Sequence, residues 1–105
     1  MKKRRYILKL TLELNTSLKK VKTFTEDIRK MLSSSKDVEQ DTMKIFFNTI
    51  SDSGIDVSVD FYTFITDYID YLKFKEDINY IILDLANKQG IKLAYPSQSI
   101  YIEKE

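Results

Sequence analysis

Apolar and polar residues alternate strictly near the start of the chain. From Tyr6 to Leu14 every second side chain is apolar, and the positions between include Lys9, Thr11 and Glu13. Successive side chains of a strand point to opposite faces, so this pattern predicts a strand with one buried face. The predicted buried positions are Tyr6, Leu8, Leu10, Leu12 and Leu14.

The next segment has the three-and-four-residue spacing of an amphipathic helix. Ser17 is a suitable N-cap residue and the spacing continues to Leu32, which predicts a helix from about Ser17 to Ser34. The face expected to pack against the sheet contains Leu18, Val21, Phe24, Thr25, Ile28, Met31 and Leu32.

Two further alternating segments flank a turn. The second predicted strand begins with Met43, Ile45 and Phe47. Ser51-Asp52-Ser53-Gly54 then has the polar residues and the glycine of a hairpin turn. The third predicted strand carries on one face Ile55, Val57, Val59 and Phe61.

A second helical pattern begins after Asp67, the predicted N-cap, and ends at Gly90. Glycine adopts the left-handed conformation that ends a helix at little steric cost, and the segment from Ile91 to Tyr95 then predicts a fourth strand. The predicted core positions of this helix are Tyr71, Phe74, Ile78, Ile81, Ile82 and Leu85.

The order strand, helix, strand, strand, helix, strand predicts an α+β fold. A strand-helix-strand unit crosses over right-handedly, and two helices then cover one face of a four-stranded antiparallel or mixed sheet. We therefore predict a ferredoxin-like βαββαβ sandwich over residues 6–95, with a basic linker at residues 1–5 and a C-terminal strand and tail at residues 96–105. This fold hosts enzymes, RNA binders and structural modules, so it does not define a function.

The residues after the single proline need a different partner. Pro96 has no backbone N–H and keeps Tyr95 extended, so the fourth strand is expected to end there. Beyond it, Ile100 and Ile102 alternate with polar positions, as in a strand with two unlike faces. Ordering such a segment costs about 1 to 2 kcal/mol per residue in backbone entropy. The segment Ser97 to Glu103 is therefore expected either to fray or to pair with another chain.

Composition restricts the function classes. The 105 residues are 43% hydrophobic and 31% charged, the balance of an ordinary folded domain. With no cysteine and no histidine, the chain lacks thiolate nucleophiles, imidazole bases and the usual transition-metal ligands. A net charge of +1 gives no general attraction for nucleic acid, and no apolar run is long enough for a membrane helix. We therefore expect no catalytic residues, no cofactor and no metal, and a chain that is soluble by itself.

Four stretches of the sequence resemble one known family. The last of them is the most specific, because it joins a glycine, an aromatic-Pro-x-Gln element and a short alternating strand. Together the four are similar to the cytoplasmic C-terminal domain of small-conductance mechanosensitive (MscS-type) channels, and the resemblance covers about Arg4 to Glu103. It departs from the family where Ser17, Leu18 and Lys19 stand in place of the usual proline and glutamate. The four stretches are Asp41–Phe47, Ser51–Val57, Thr66–Leu72 and Gly90–Ile102.

This resemblance implies a structural role in a homo-heptamer. In the family, transmembrane helices form a tension-gated pore, and a β-domain and this domain build a hollow cytoplasmic cage with side portals. The last strands of the subunits join in a small parallel barrel that closes the cage. By this resemblance, the barrel strand and subunit interface comprise Pro96, Ser97, Gln98, Ser99, Ile100, Tyr101, Ile102 and Glu103.

The chain is accordingly interpreted as a fragment of a channel subunit. It would contribute to oligomer assembly and solute passage at the cytoplasmic face of a bacterial inner membrane, with copies of itself as partners. The β-domain and transmembrane helices are expected upstream, and Met1 is expected to be an artificial start. No contact with nucleic acid, and none of this segment with the membrane, is expected.

Several features have a second interpretation. The basic run Lys2–Arg5 could bind nucleic acid or anionic lipid, but a solvated terminal run is preferred. Exposed strand aromatics could stack RNA bases, but burial against a neighbouring subunit is preferred. The acids lack the spacing of an EF-hand loop and are interpreted as strand-face, turn and cap residues. The aromatics are Phe46, Tyr62 and Phe64, and the acids are Asp52, Asp56, Asp60, Asp67 and Asp70.

The alternative function is a free-standing ferredoxin-like module that binds a small ligand or RNA. An enzyme of the acylphosphatase type shares the fold, but the first strand is followed by no arginine-bearing phosphate loop.

Overall fold

The computed structural model of the protein describes residues 3–94. Three strands and two helices alternate in the order predicted from the sequence for the first five elements. They are β1 (Arg4–Leu12), α1 (Leu18–Ser33), β2 (Val38–Ser51), β3 (Gly54–Thr63) and α2 (Tyr68–Lys88).

The strands form one antiparallel sheet in the order β1-β3-β2. Leu8 of β1 and Ile45 of β2 both lie opposite Val59 of the central strand, so alternate residues of all three strands share one face. Side chains from that face and from both helices form a single buried cluster. The α+β class and the covering of one face by two helices are therefore confirmed.

Aromatic packing fills the centre of this cluster. Tyr6 and Phe61 face each other across β1 and β3, and their rings stack with centroids 4.8 Å apart. The ring of Phe74 meets Phe61 edge-on at 6.1 Å. Burial raises the pKa of the Tyr6 phenol, whose hydroxyl donates a hydrogen bond to Asn79 Oδ1 at 2.6 Å. The buried ring is thus satisfied at its one polar atom.

The predicted helix ends are confirmed. Ser17 caps α1, its side chain accepting a hydrogen bond from the backbone N–H of Lys20, and Asp67 caps α2 through the N–H of Asp70. Gly90 follows α2 with a φ of +68°, the left-handed conformation expected of a glycine that ends a helix.

Three predicted core positions in the segments of β1, α1 and α2 are wrong. Leu14, Leu18 and Ile81 are 53%, 65% and 40% exposed. Leu14 lies beyond the end of β1, and Leu18 begins α1 on a side that the sheet does not cover. Ile81 lies beside the narrow buried stripe of α2, which is formed by Ile78, Ile82 and Ala86.

Two strands begin earlier than predicted. β1 starts at Arg4, so Arg4 and Arg5 belong to the strand and not to a linker. β2 starts at Val38, five residues before the predicted Met43. An irregularity in pairing between Glu39 and Lys44 interrupts the alternation there, which hides the start of the strand from pattern analysis.

The predicted fourth strand is not formed as a strand within the described residues. In its place, Leu93 makes a single antiparallel bridge to Leu12. Two hydrogen bonds flank this bridge, from the N–H of Glu13 to the carbonyl of Lys92 and from the N–H of Ala94 to the carbonyl of Thr11. The last predicted residue of that strand, Tyr95, lies outside the described residues.

Candidate functional site

The face of the sheet opposite the helices carries paired charges. Arg5 of β1 donates two hydrogen bonds to Asp60 of β3, from Nε at 3.0 Å and from Nη2 at 2.8 Å. These bonds hold the pKa of the Asp60 carboxyl below its usual value. Four residues earlier in β3, Asp56 accepts a hydrogen bond from the Thr11 hydroxyl and lies 3.7 Å from Lys9 Nζ. The acids of β3 are therefore neutralised by side chains of β1.

The acids occupy the strand-face, turn and cap positions predicted from the sequence. Asp56 and Asp60 are on the strand face, Asp67 caps α2, and Asp52 is in the hairpin turn. Asp70 lies in the first turn of α2, where a negative charge is favoured by the helix dipole. Among residues 3–94, no group of three acidic side chains is placed to hold a metal ion.

Each of the three aromatics predicted on strand faces lies near a cation of its own chain, although Phe64 follows the end of β3. The Arg29 guanidinium carbon is 5.8 Å from the ring centre of Phe46, and that of Arg5 is 6.0 Å from Tyr62. Lys3 Nζ is 5.8 Å from the ring centre of Phe64. Phe46 and Phe64 remain 54% and 45% exposed. The rings therefore present apolar surface beside positive charge, which suits contact with another macromolecule.

The outer edge of β1 is partly occupied by the chain's own groups. The hydroxyl of Tyr71 donates to the carbonyl of Arg5 at 2.9 Å, and Ala94 takes up the carbonyl of Thr11. The backbone N–H and C=O groups of successive residues in a strand point to opposite edges. The backbone groups of Ile7 and Lys9 therefore face the same outer edge as those of Arg5 and Thr11. The predicted interface residues Pro96 to Glu103 would follow directly from this edge, but they lie outside the described residues.

The opposite edge of the sheet is formed by β2, and the sequence did not predict an exposed apolar surface there. Phe47 and Ile50 extend beyond α1 and are 41% and 65% exposed. A groove of about 340 Å³ lies between Phe47 and the helix, lined by Val21, Lys22, Thr25, Glu26, Arg29 and Phe47. The alternation of Met43, Ile45 and Phe47 in the sequence predicts burial for Phe47. Only the position of α1 in the structure shows that one helix does not cover the whole of β2.

Comparison with known proteins gives one family. A family model described as "Mechanosensitive ion channel MscS, C-terminal" matches residues 8–93. An uncharacterized MscS family protein of Aquifex aeolicus is 32% identical over 103 residues, covering 97% of this chain and 28% of that protein. The low conductance mechanosensitive channel YnaI of Escherichia coli is 29% identical over 85 residues, covering 80% of this chain and 25% of the channel.

A solved structure shares the fold. The cryo-EM structure of Arabidopsis thaliana MSL1 superposes with a TM-score of 0.79 at 13% identity, covering 91% of this chain and 35% of that one. The chain thus spans between about a quarter and about a third of the proteins it matches. Within residues 3–94, neither helix is long and apolar enough to cross a membrane.

Proposed function

Because the chain belongs to the MscS C-terminal domain family, we propose that it is the cage domain of a mechanosensitive channel subunit. In this role it forms part of the wall of a hollow cytoplasmic chamber below a tension-gated pore, and solutes pass the chamber on their way to or from the pore. The observation that carries the proposal is the family match across residues 8–93, together with relatives that are mechanosensitive channels.

The domain's work is structural. It has neither cysteine nor histidine, and its acids on the sheet are held by hydrogen bonds from Arg5 and Thr11. The hydrogen bonds from Arg5 lower the pKa of the Asp60 carboxyl, and a carboxylate with a lowered pKa is a weaker general base. We assign the domain no catalytic role and no cofactor.

The proposed complete fold is ferredoxin-like. The order β1-β3-β2 leaves β1 as the edge next to which a fourth strand belongs in that fold, and Leu93 bridges to β1 at that place. In the complete domain, residues 6–95 form the sandwich and residues 96–105 leave it.

The register at Leu93 supports this division. If the pairing continued beyond Ala94, Pro96 would lie opposite Lys9, at the same kind of position as Ala94 opposite Thr11. Ala94 donates its N–H to the carbonyl of Thr11 there, and a proline has no N–H to donate to Lys9. The pairing with β1 would lack its next backbone donor at Pro96, so continued pairing beyond this residue is less favourable.

In the proposed assembly, Ser97 to Glu103 pairs with the same segment of sister subunits in a parallel barrel. A closed barrel satisfies both edges of every strand, and cyclic symmetry supplies identical strands. The proposed assembly is a homo-heptamer on the cytoplasmic face of a bacterial inner membrane, in which the β-domain and the transmembrane helices of the subunit precede this domain.

Removing residues 97–105 is expected to weaken self-association without unfolding the domain. The reason is that the proposed barrel strand contacts sister chains, while the buried cluster formed by the described residues 3–94 extends from Tyr6 to Ile91. The measurement is the mass of the intact and truncated chains by light scattering at high protein concentration, with the midpoint of thermal unfolding as a check on folding.

A shorter truncation serves as the control. Removing only Lys104 and Glu105 deletes two charged residues outside the proposed barrel strand, so it should leave the mass unchanged. Equal masses for the intact chain and the chain ending at Pro96, under conditions in which the intact chain is associated, would contradict the assembly role of the segment.

A further inference from the structure

The two flanks of the domain carry different exposed surfaces. We call the first the groove surface; it lies on the β2 side and comprises Leu18, Lys22, Phe47 and Ile50. Leu18 precedes Lys22 by four residues, so both project from the same side of α1, and Lys22 and Phe47 line the groove. Leu18 and Ile50 are each 65% exposed.

The backbone of β2 adds an open edge to the groove surface. Arg29 Nη2 donates a hydrogen bond of 2.7 Å to the carbonyl of Ile45, which shows that this carbonyl points away from β3. The backbone N–H and C=O groups of Phe47, two residues further along β2, point the same way because these groups alternate in direction from one residue to the next. Such an edge, flanked by apolar side chains, is a surface to which other chains bind.

We call the second the ridge surface; it lies on the outer side of α2 and comprises Glu76, Tyr80, Leu83 and Asn87. These residues follow each other at intervals of four, three and four, so they form one stripe along the helix. Tyr80 and Leu83 are 63% and 49% exposed. The hydroxyl of Tyr80 donates a hydrogen bond to Glu76, which holds an acid at the N-terminal end of the stripe, beside the Tyr80 ring.

The two surfaces face in opposite directions. β2 and β1 are the two edges of the sheet, and α1 lies over β2, to which Arg29 bonds. α2 lies over β1, because Tyr71 and Asn79 of that helix bond Arg5 and Tyr6 of the strand. One protomer therefore presents the groove surface on one flank and the ridge surface on the other.

The two surfaces are also complementary in charge. The part of α2 from Glu76 to its end at Lys88 contains three acids and one base, Lys88, which lies 3.2 Å from Asp84 and leaves Glu76 and Asp77 as the excess negative charge. α1 carries five bases against two acids, and Lys22 lines the groove itself. The acids of α2 are Glu76, Asp77 and Asp84; the bases of α1 are Lys19, Lys20, Lys22, Arg29 and Lys30.

We propose that the groove surface of one copy of this chain binds the ridge surface of the next. Apolar groups meet apolar groups in this contact, and Lys22 of one copy faces the acids of α2 in the other. Two unlike surfaces on opposite flanks make a head-to-tail contact, which generates a ring when the rotation closes. The inference rests on the proposed function, since it identifies the lateral contact of the same assembly.

Cysteine crosslinking of the full chain tests the contact, because the chain has no cysteine of its own. Two variants, Ile50→Cys and Leu83→Cys, are mixed and treated with a short bismaleimide. The mixture is expected to give at least about tenfold more crosslinked dimer than either variant alone, because a head-to-tail contact does not bring two copies of one residue together. A chain carrying both substitutions should give a ladder of higher oligomers.

The control is Ile7→Cys, on the open face of the sheet and 61% exposed. Mixed with Leu83→Cys, it should give no more dimer than the single variants. Equal crosslinking of the Ile7 and Ile50 mixtures, crosslinking of Ile50→Cys with itself, or no crosslinking at all would each overturn the proposal.

Charge reversal provides an independent measurement. Lys22→Glu should reduce crosslinking between the cysteine positions, and the added substitution Glu76→Lys in the other partner should restore it. Failure of the second change to restore crosslinking would count against the pairing of these flanks. The mass of the truncated chain tests the proposed barrel, and crosslinking tests the lateral contact. Either proposal can therefore fail without the other.

Discussion

Gly54→Ala is expected to lower the free energy of unfolding by at least about 3 kcal/mol, because two costs add at this residue. Gly54 opens β3 with a φ of +139°, a conformation that residues with a side chain rarely adopt. A Cβ placed there would lie 2.2 Å from the carbonyl oxygen of Leu12 and 3.1 Å from Cγ2 of Thr11. The nearer contact is with backbone of the neighbouring strand, so relief requires β1 and β3 to separate.

Gly90→Ala is the matched control for this prediction. Gly90 also has a positive φ, +68°, but a Cβ there would meet only the flexible end of Lys20, at 3.4 Å. Its cost is therefore expected to be about 1 kcal/mol, the conformational term alone. Urea unfolding of both variants gives the comparison. If the two substitutions cost the same, the close packing of the hairpin against Leu12 does not contribute to stability.

Phe61→Ala is expected to cost about 3 to 5 kcal/mol of unfolding free energy, the range for truncating a fully buried phenylalanine. Phe61 has no exposed surface and touches the rings of both Tyr6 and Phe74. The cavity would open between the sheet and α2, where no smaller side chain can fill it without moving the helix. Thermal or urea unfolding followed by circular dichroism measures the loss.

Phe64→Ala is the control, because Phe64 is the same residue type three positions later and is 45% exposed. It should cost less than about 1 kcal/mol, since much of its surface is already in water. If both substitutions lowered the free energy of unfolding by similar amounts, the centre of the core would not lie between β1, β3 and α2.

Local chemistry made much of the fold predictable. Ser17, Asp67 and Gly90 act on the backbone within a few residues of themselves, and each ends or starts a helix where its residue type indicates. The alternation from Ile55 to Phe61 was equally reliable, because β3 is the central strand and its inner face is wholly covered. Helix ends were thus predicted correctly from near neighbours in the chain, and alternation was predictive where other elements cover the whole inner face of a strand.

Features that depend on where elements end relative to each other were not predictable. Phe47 continues a clean alternation, yet it is partly exposed because α1 covers only part of β2. The bond from Arg29 to the carbonyl of Ile45 joins residues sixteen apart through the tertiary fold, and no spacing rule signals it. The groove surface therefore became visible only in the structure.

The functional interpretation had a different origin. Periodicity and composition led only to a folded domain whose last residues need a partner, and the family came from the similarity of four motifs to MscS-type channels. The family match over residues 8–93 confirms that similarity. The alternative of a free-standing ligand- or RNA-binding module gains no support from the open sheet face, where Arg5, the cation beside the Tyr62 ring, is paired with Asp60.

The proposed assembly requires that Ser97 to Glu103 be ordered only by sister chains, and amide hydrogen exchange of the intact chain tests this directly. We expect these amides to exchange slowly when the chain is concentrated and associated, and rapidly when it is diluted to monomer. Amides of the central strand β3 should stay protected in both states. Equal protection of Ser97 to Glu103 in the monomer, or none of it in the associated state, would contradict the account.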